Sequence, residues 1–170
     1  MVTLVIGGAA SGKSEYAERL AESYSNPLFY LATMEAGDEE SRERIQKHVL
    51  RRTGKGYVTI ECPRDLDTVV LETRGTILLD CVGNLVANEL FSEVPKGVDE
   101  ILSGFKALLA QCDNAVIVTN DVFSGGSDYG EETLRYMRVL GLVNQRLAEM
   151  ADRLVEVTCG VPLVWKGEES

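Results

Sequence analysis

Val2-Thr3-Leu4-Val5-Ile6-Gly7-Gly8-Ala9-Ala10-Ser11-Gly12-Lys13-Ser14 is the stretch from which the rest of the chain can be read. Its first five residues form a β-branched apolar run that reads as a buried strand. The next eight match G-x-x-x-x-G-K-[ST] in full. Glycines at this spacing let successive backbone N–H groups turn inward around phosphate oxygens, and the start of a following helix adds its positive dipole end. Lys13 would reach the terminal phosphates, and Ser14 would hold Mg²⁺ through its hydroxyl. A glycine-rich turn with an unrelated lysine is the plainer alternative. The strand before the motif, and the helical spacing of Ala17, Leu20, Ala21 and Tyr24 after it, favour the phosphate cradle.

Working outward, Ser25-Asn26-Pro27 stops the first helix and Leu28 to Thr33 reads as a second strand. From Asp38 to about Arg52 the chain is rich in Glu and Arg and lacks Gly and Pro, which predicts an exposed helix closed by Gly54 and Gly56. Tyr57 to Glu61 is a short strand, Leu66 to Glu72 a short helix, and Thr76 to Asp80 a buried strand ending in a carboxylate. Leu85 to Phe91 continues as a helix. Val98, Ile101, Leu102, Phe105, Leu108, Leu109 and Cys112 form one apolar stripe at helical spacing. Ala115 to Thr119 is a core strand, Phe123 to Gly130 the most loop-like segment, and Leu134 to Ala151 a long last helix. Arg153 to Thr158 and Val161 to Trp165 flank a short turn at Gly160 and should pair antiparallel, whereas the alternating strands and helices before them imply a mostly parallel sheet. The expected fold is a three-layer α/β P-loop architecture in a single domain spanning residues 1–170.

The composition, 45% hydrophobic and 26% charged, is that of a globular protein. A net charge of −10 would repel an extended polyanion, so nucleic acid is not an expected partner. Cys62, Cys81, Cys112 and Cys159 show no CxxC spacing and read as reduced thiols, and neither a disulfide framework nor a zinc site is expected. No apolar stretch approaches the ~20 residues that span a bilayer, so no stable membrane insertion is expected and the protein should stay in the cytoplasm.

Two acidic residues compete for the metal-side role that P-loop proteins give to a carboxylate at the end of a neighbouring strand: Asp80, and its rival Asp121. The only histidine, His48, lies one helical turn from Arg44, Arg51 and Arg52. Neighbouring guanidinium groups disfavour imidazolium, leaving a neutral imidazole able to attack a phosphorus. On chemistry alone, a solvated basic face with an incidental histidine is the favoured reading.

Gly7-Gly8-Ala9-x-Ser11-Gly12-Lys13-Ser14, Tyr30-x-Ala32-Thr33, Arg44-Ile45-x-x-His48, Leu79-Asp80-Cys81, Thr119-Asn120-Asp121-Val122 and Gly141-x-x-Asn144-Gln145 occur together in this order. In this combination, nearly end to end, the chain resembles the bifunctional adenosylcobinamide kinase/adenosylcobinamide-phosphate guanylyltransferases of cobalamin biosynthesis. The resemblance implies phosphorylation of adenosylcobinamide by ATP or GTP, then transfer of GMP from GTP to the product through a guanylylated histidine, which falls on His48. It implies nucleotide contacts from Gly7, Gly8, Ala9, Ala10, Ser11, Gly12, Lys13 and Ser14, from Ala32, Thr33 and Met34, and from Val49, Leu50, Arg51 and Arg52. Glu61 and Asp80 match two further acidic positions, and a homotrimer is implied. Lys13 and His48 carry the catalytic roles, Ser14 and Asp80 the metal. Ala10 departs from the family's frequent arginine, and Val139 stands where an acidic residue is common. Residues 123–129 replace a Val-Pro-containing stretch. Another small-molecule P-loop kinase, or a non-catalytic nucleotide-binding regulator, are the competing functions.

Overall fold

The computed structural model describes residues 1–168 apart from 25, 36, 38 and 123–128, and describes no side chain at 40, 41, 44, 47, 48 and 51. In chain order the elements are β1 (Val2–Gly7), α1 (Lys13–Glu22), β2 (Leu28–Ala32), α2 (Glu39–Arg52), β3 (Tyr57–Glu61), β4 (Thr76–Asp80), α3 (Val82–Leu90), α4 (Val98–Leu109), β5 (Asn114–Asn120), α5 (Glu131–Met150), β6 (Arg153–Thr158) and β7 (Val161–Lys166). The strands form one sheet in the order β3-β2-β4-β5-β1-β6-β7. Every pairing is parallel except β6 with β7. The expected three-layer α/β fold with an antiparallel final strand is therefore the observed one.

Alternation along the strands builds two cores, because successive side chains in a strand point to opposite faces. Leu4, Leu31, Ile77, Leu79 and Ile117 meet the apolar stripes of α3, α4 and α5, including the fully buried Phe105. Val5, Tyr30, Leu78, Val116, Val118, Val155 and Val157 face the other way, against Ala17 and Ala21 of α1. Those two alanines carry little bulk, so the helix behind the glycine-rich motif lies close to the sheet. The stripe read from the sequence is the buried side of α4, through Ile101, Leu102, Phe105 and Leu108.

One predicted element is shorter than expected. Instead of a helix over Leu66 to Glu72, a single 3-10 turn spans Leu66–Thr68, and Val69 is already extended. The physical reason is a better offer from α4's end: the Gln111 amide donates to the Val69 carbonyl at 2.9 Å and accepts from the Leu71 N–H at 3.1 Å. The β-branched pair Val69-Val70 also resists helix continuation. Cys62, Cys81 and Cys112 are buried, Cys159 is exposed, and all four are free thiols. Among the described residues, no helix is long and apolar enough to cross a membrane.

Candidate active site

The parallel strands end on one edge of the sheet, and among the predicted site residues Gly7, Ala32, Glu61 and Asp80 stand there. Pairing puts Glu61 opposite Ala32, Ala32 opposite Asp80, and Asp80 opposite Val118. Gly7 stands opposite Asn120, two strands from β4, about 10 Å away across the sheet at the usual strand spacing. Ligands of open α/β sheets bind outside these carboxyl ends.

The glycine-rich motif closes around itself between β1 and α1. Gly12 caps α1 with φ 90° and ψ 5°, a left-handed conformation that costs glycine nothing. Ala10 also has positive φ, at 55°. The Ser11 N–H donates to the Gly8 carbonyl at 3.3 Å, and the Asp121 N–H donates to the Gly7 carbonyl at 3.1 Å. Lys13 is 9% exposed and its Nζ donates to the Gly8 carbonyl at 2.9 Å, so the ammonium is folded back over the loop. Ala10, Ser11, Gly12, Lys13, Ser14 and Glu15 line a cavity of about 310 Å³. That is the lower end of the size range of small-molecule sites.

A support for this loop was not foreseen. Gly160, in the turn between β6 and β7, donates its N–H to the Ser11 carbonyl at 2.8 Å. A Cβ on Gly12 would sit 3.2 Å from the Gly160 Cα. Some 150 residues separate the two turns, so no local pattern could have paired them.

Beyond Asp80 lies a second, narrower cavity of about 60 Å³. Ala32, Met34, Val49, Arg52, Glu61 and Asp80, all named from the sequence, line it together with Tyr30, Ile45, Cys81 and Asn84. Arg52, the last residue of α2, is 6% exposed, and its Cζ lies 3.1 Å from the centroid of the Tyr30 ring. Its Nε and Nη1 have no hydrogen-bond partner among the described residues. Asn84 was missed, though a polar residue in the first turn of a helix that starts just after Asp80 points to the same edge.

Burial, reinforced by the Asp80 charge, pushes the Tyr30 hydroxyl well above its ordinary pKa, while the Arg52 guanidinium pulls it back in part. Burial and then Asp80 also raise the Cys81 thiol to about 11, against opposition from the Asn84 and Gly83 amides and the Lys13 ammonium. Cys81 is therefore an inert thiol at neutral pH.

Not every named residue faces a cavity. Thr33 is fully buried, with its Oγ1 donating to the Cys81 carbonyl and accepting from the Cys81 N–H, both at 2.8 Å. Its own carbonyl accepts from Asn88 Nδ2 at 2.8 Å. Thr33 thus ties the end of β2 to the end of β4 and holds the wall in which Asp80 stands. Leu50 is 72% exposed and lines neither cavity. His48 lies within α2, but its side chain and those of Arg44 and Arg51 are outside the described residues, as is most of the loop 123–130. Asp121 stands one residue past β5, where its backbone bonds to Gly7.

Ser14 and Asp80 offer hard oxygen donors, the type that suits Mg²⁺. Among the described residues no three His, Cys, Asp or Glu side chains cluster as a metal site. Mg²⁺ in nucleotide enzymes typically takes one or two protein ligands and completes its shell with phosphates and water, so oxygen donors of this kind suit it.

Comparison with known proteins agrees with this fold and shows the family. Solved structures resemble the chain at the level of the fold: the flagellar accessory protein FlaH of Methanocaldococcus jannaschii gives a TM-score of 0.54 at 20% identity, covering 98% of this chain and 78% of that one. A KaiC-like protein of Pyrococcus horikoshii gives 0.50 at 13% identity, over 99% and 80% of the two chains. The bifunctional adenosylcobalamin biosynthesis protein CobP of Pseudomonas aeruginosa is 33% identical over 176 residues, covering 99% of both chains. The proteins of the same description called CobU, from Salmonella typhimurium and Escherichia coli, are 34% and 32% identical over 178 residues, each covering 95% of this chain and 97% of the relative. Residues 3–165 match the family model described as cobinamide kinase / cobinamide phosphate guanyltransferase, and the chain belongs to that family.

Proposed function

We propose that this enzyme carries out both reactions of its family at the edge where the phosphate cradle and the Arg52 slot meet, with His48 carrying GMP between them. In the first reaction the hydroxyl of adenosylcobinamide attacks the terminal phosphorus of ATP or GTP, the bond to the leaving diphosphate breaks, and the hydroxyl proton is released. In the second, the His48 imidazole attacks the innermost phosphorus of GTP. An N–P bond forms as the bond to pyrophosphate breaks. A phosphate oxygen of adenosylcobinamide phosphate then displaces the imidazole, giving adenosylcobinamide-GDP.

The chain's own residues supply binding and charge. Lys13 donates to the Gly8 carbonyl and can turn the same ammonium to phosphate oxygens. The N–H groups of the Gly7 to Ser14 loop and the N-terminus of α1 stabilise negative charge that develops on the transferred group. Ser14 and Asp80 would hold Mg²⁺, which when bound supplies charge neutralisation at the phosphates. The observation that carries this reading is the presence, on one sheet edge, of a lysine-bearing phosphate loop and a slot presenting guanidinium donors that meet no acceptor among the described residues, beside Glu61 and Asp80. A cytoplasmic location and a homotrimer rest on the family resemblance and belong to the same proposal.

The test is covalent trapping. Wild-type protein with Mg²⁺ and α-labelled GTP should acquire acid-labile label on His48, and His48→Ala should acquire none while still binding GTP. A protein that binds GTP, turns over adenosylcobinamide phosphate and yet never carries label would exclude the histidine route.

A further inference from the structure

Arg52 is a charged side chain taken almost wholly out of water, and two of its donors, Nε and Nη1, meet no acceptor among the described residues. Leaving such donors unsatisfied is costly, so arrangements of this kind persist where a ligand completes them. Arg52 closes the last turn of α2, whereas the residue beneath its guanidinium, Tyr30, sits in the middle of β2 between Thr59 of β3 and Leu78 of β4. Tyr30 is itself 4% exposed. Its ring meets that of Tyr57 edge-on, with centroids 6.4 Å apart and planes at 86°, and the Tyr57 hydroxyl donates to the Glu18 carbonyl of α1 at 3.4 Å. The ring is therefore buried in the sheet's packing and braced edge-on by Tyr57, which is itself tied to α1. The guanidinium lies on its face, where the negative π-cloud attracts a cation and where stacking leaves the in-plane N–H groups free to point sideways.

We propose that Tyr30 is a positioning residue of the nucleotide site: its ring fixes the plane of the Arg52 guanidinium so that Nε and Nη1 meet hydrogen-bond acceptors of the bound nucleotide. The inference rests on the nucleotide reading of this slot given above. It adds a residue that lines the slot and acts on the ligand through Arg52. Glu61 and Asp80 line the same slot, so the guanidinium needs a fixed direction. Left to swing, it would pair with one of these carboxylates and lose its donors to the ligand.

The experiment measures GMP affinity by titration for the wild type, Tyr30→Phe, Tyr30→Leu, Arg52→Gln, Arg52→Lys and the Tyr30→Leu/Arg52→Gln double variant, with thermal unfolding of each as a check of folding. Tyr30→Phe keeps the ring and should bind within about twofold of wild type. Tyr30→Leu should weaken binding on the order of tenfold, the size expected for a desolvated cation–π pair. The double variant should be no weaker than Arg52→Gln, because the two residues act as one unit. Arg52→Lys keeps the charge without the planar fork and should lose nearly as much as Arg52→Gln, which keeps the proposal testable if Tyr30→Leu fails to fold. Losses that multiply in the double variant, or full affinity in Arg52→Lys or in folded Tyr30→Leu, would overturn the role of Tyr30 while leaving Arg52 in the site. Full affinity in Arg52→Gln would remove Arg52 from the site and the proposal with it, and a wild type that binds no GMP would instead sink the functional reading itself.

Discussion

Replacing Gly7 with alanine and, separately, Gly8 with alanine should have opposite consequences, although the two residues are adjacent in the same motif. A Cβ on Gly7 would lie 2.5 Å from Ser11 Oγ and 2.6 Å from the Val157 carbonyl oxygen. The serine hydroxyl can turn aside. The carbonyl cannot, because it belongs to β6, which pairs with β1 on one side and β7 on the other. The strands must spread, and overpacking of this kind costs about 1–3 kcal/mol. For a chain of this size each kcal/mol lowers the unfolding midpoint by roughly 2–4 °C, so Gly7→Ala should unfold about 2–12 °C lower. At Gly8 a Cβ meets nothing within 4 Å, and its φ is not among the positive ones. Gly8→Ala should be neutral or, by trimming the freedom of the unfolded chain, stabilising by about 0.4–1 kcal/mol. Thermal unfolding of the nucleotide-free proteins reads both. Nucleotide titration then adds that Gly7→Ala loses at least tenfold in affinity as the loop is pushed outward, while any loss in Gly8→Ala reports the ligand's approach alone. A Gly7→Ala protein as stable as wild type, or a Gly8→Ala protein destabilised equally, would refute the steric argument.

Thr33→Val should lower stability by about 2 kcal/mol in chemical denaturation, since it strands the buried N–H and carbonyl of Cys81 with which the hydroxyl is paired; an unchanged midpoint would show that the tie between β2 and β4 is made elsewhere. Alkaline titration should destabilise the fold: burial holds Cys62 and Cys81 protonated to about 11, against an ordinary 9, so the unfolded chain gives up those protons first. Stability from these thiols is complete below pH 9 and is lost as pH rises toward 11. Cys81→Ala should flatten that decline in unfolding midpoints measured from pH 8 to 11.

Legibility in the sequence followed the range of the interaction. The phosphate loop could be read because eight consecutive residues contain its whole mechanism, and the strands could be read because β-branched runs bounded by turn residues have few other uses. Asp80 was legible for the same reason, as a carboxylate closing such a run. The Leu66 to Glu72 segment was misjudged because its conformation is decided by the amide of Gln111, forty residues on, and not by its own periodicity. Thr33 was named for the nucleotide, and what its hydroxyl binds is the backbone of Cys81, a partner set by strand order. Tyr30 was visible only as part of a motif. Its pairing with Arg52 needs β2 and the end of α2 in register, which pattern alone does not give.

The position of β1 has a consequence for how the protein is made. Its two neighbours in the sheet are β5 and β6, and the turn that braces its loop comes later still, at Gly160. A ribosome delivers the cradle's residues well before those of β6, yet until β6 and Gly160 have emerged that strand has one open flank and its loop has no brace. Nascent chains halted before Arg153 should therefore fail to retain nucleotide even with the whole motif exposed, so that a motif contained in eight residues becomes competent only once a distant hairpin has been made.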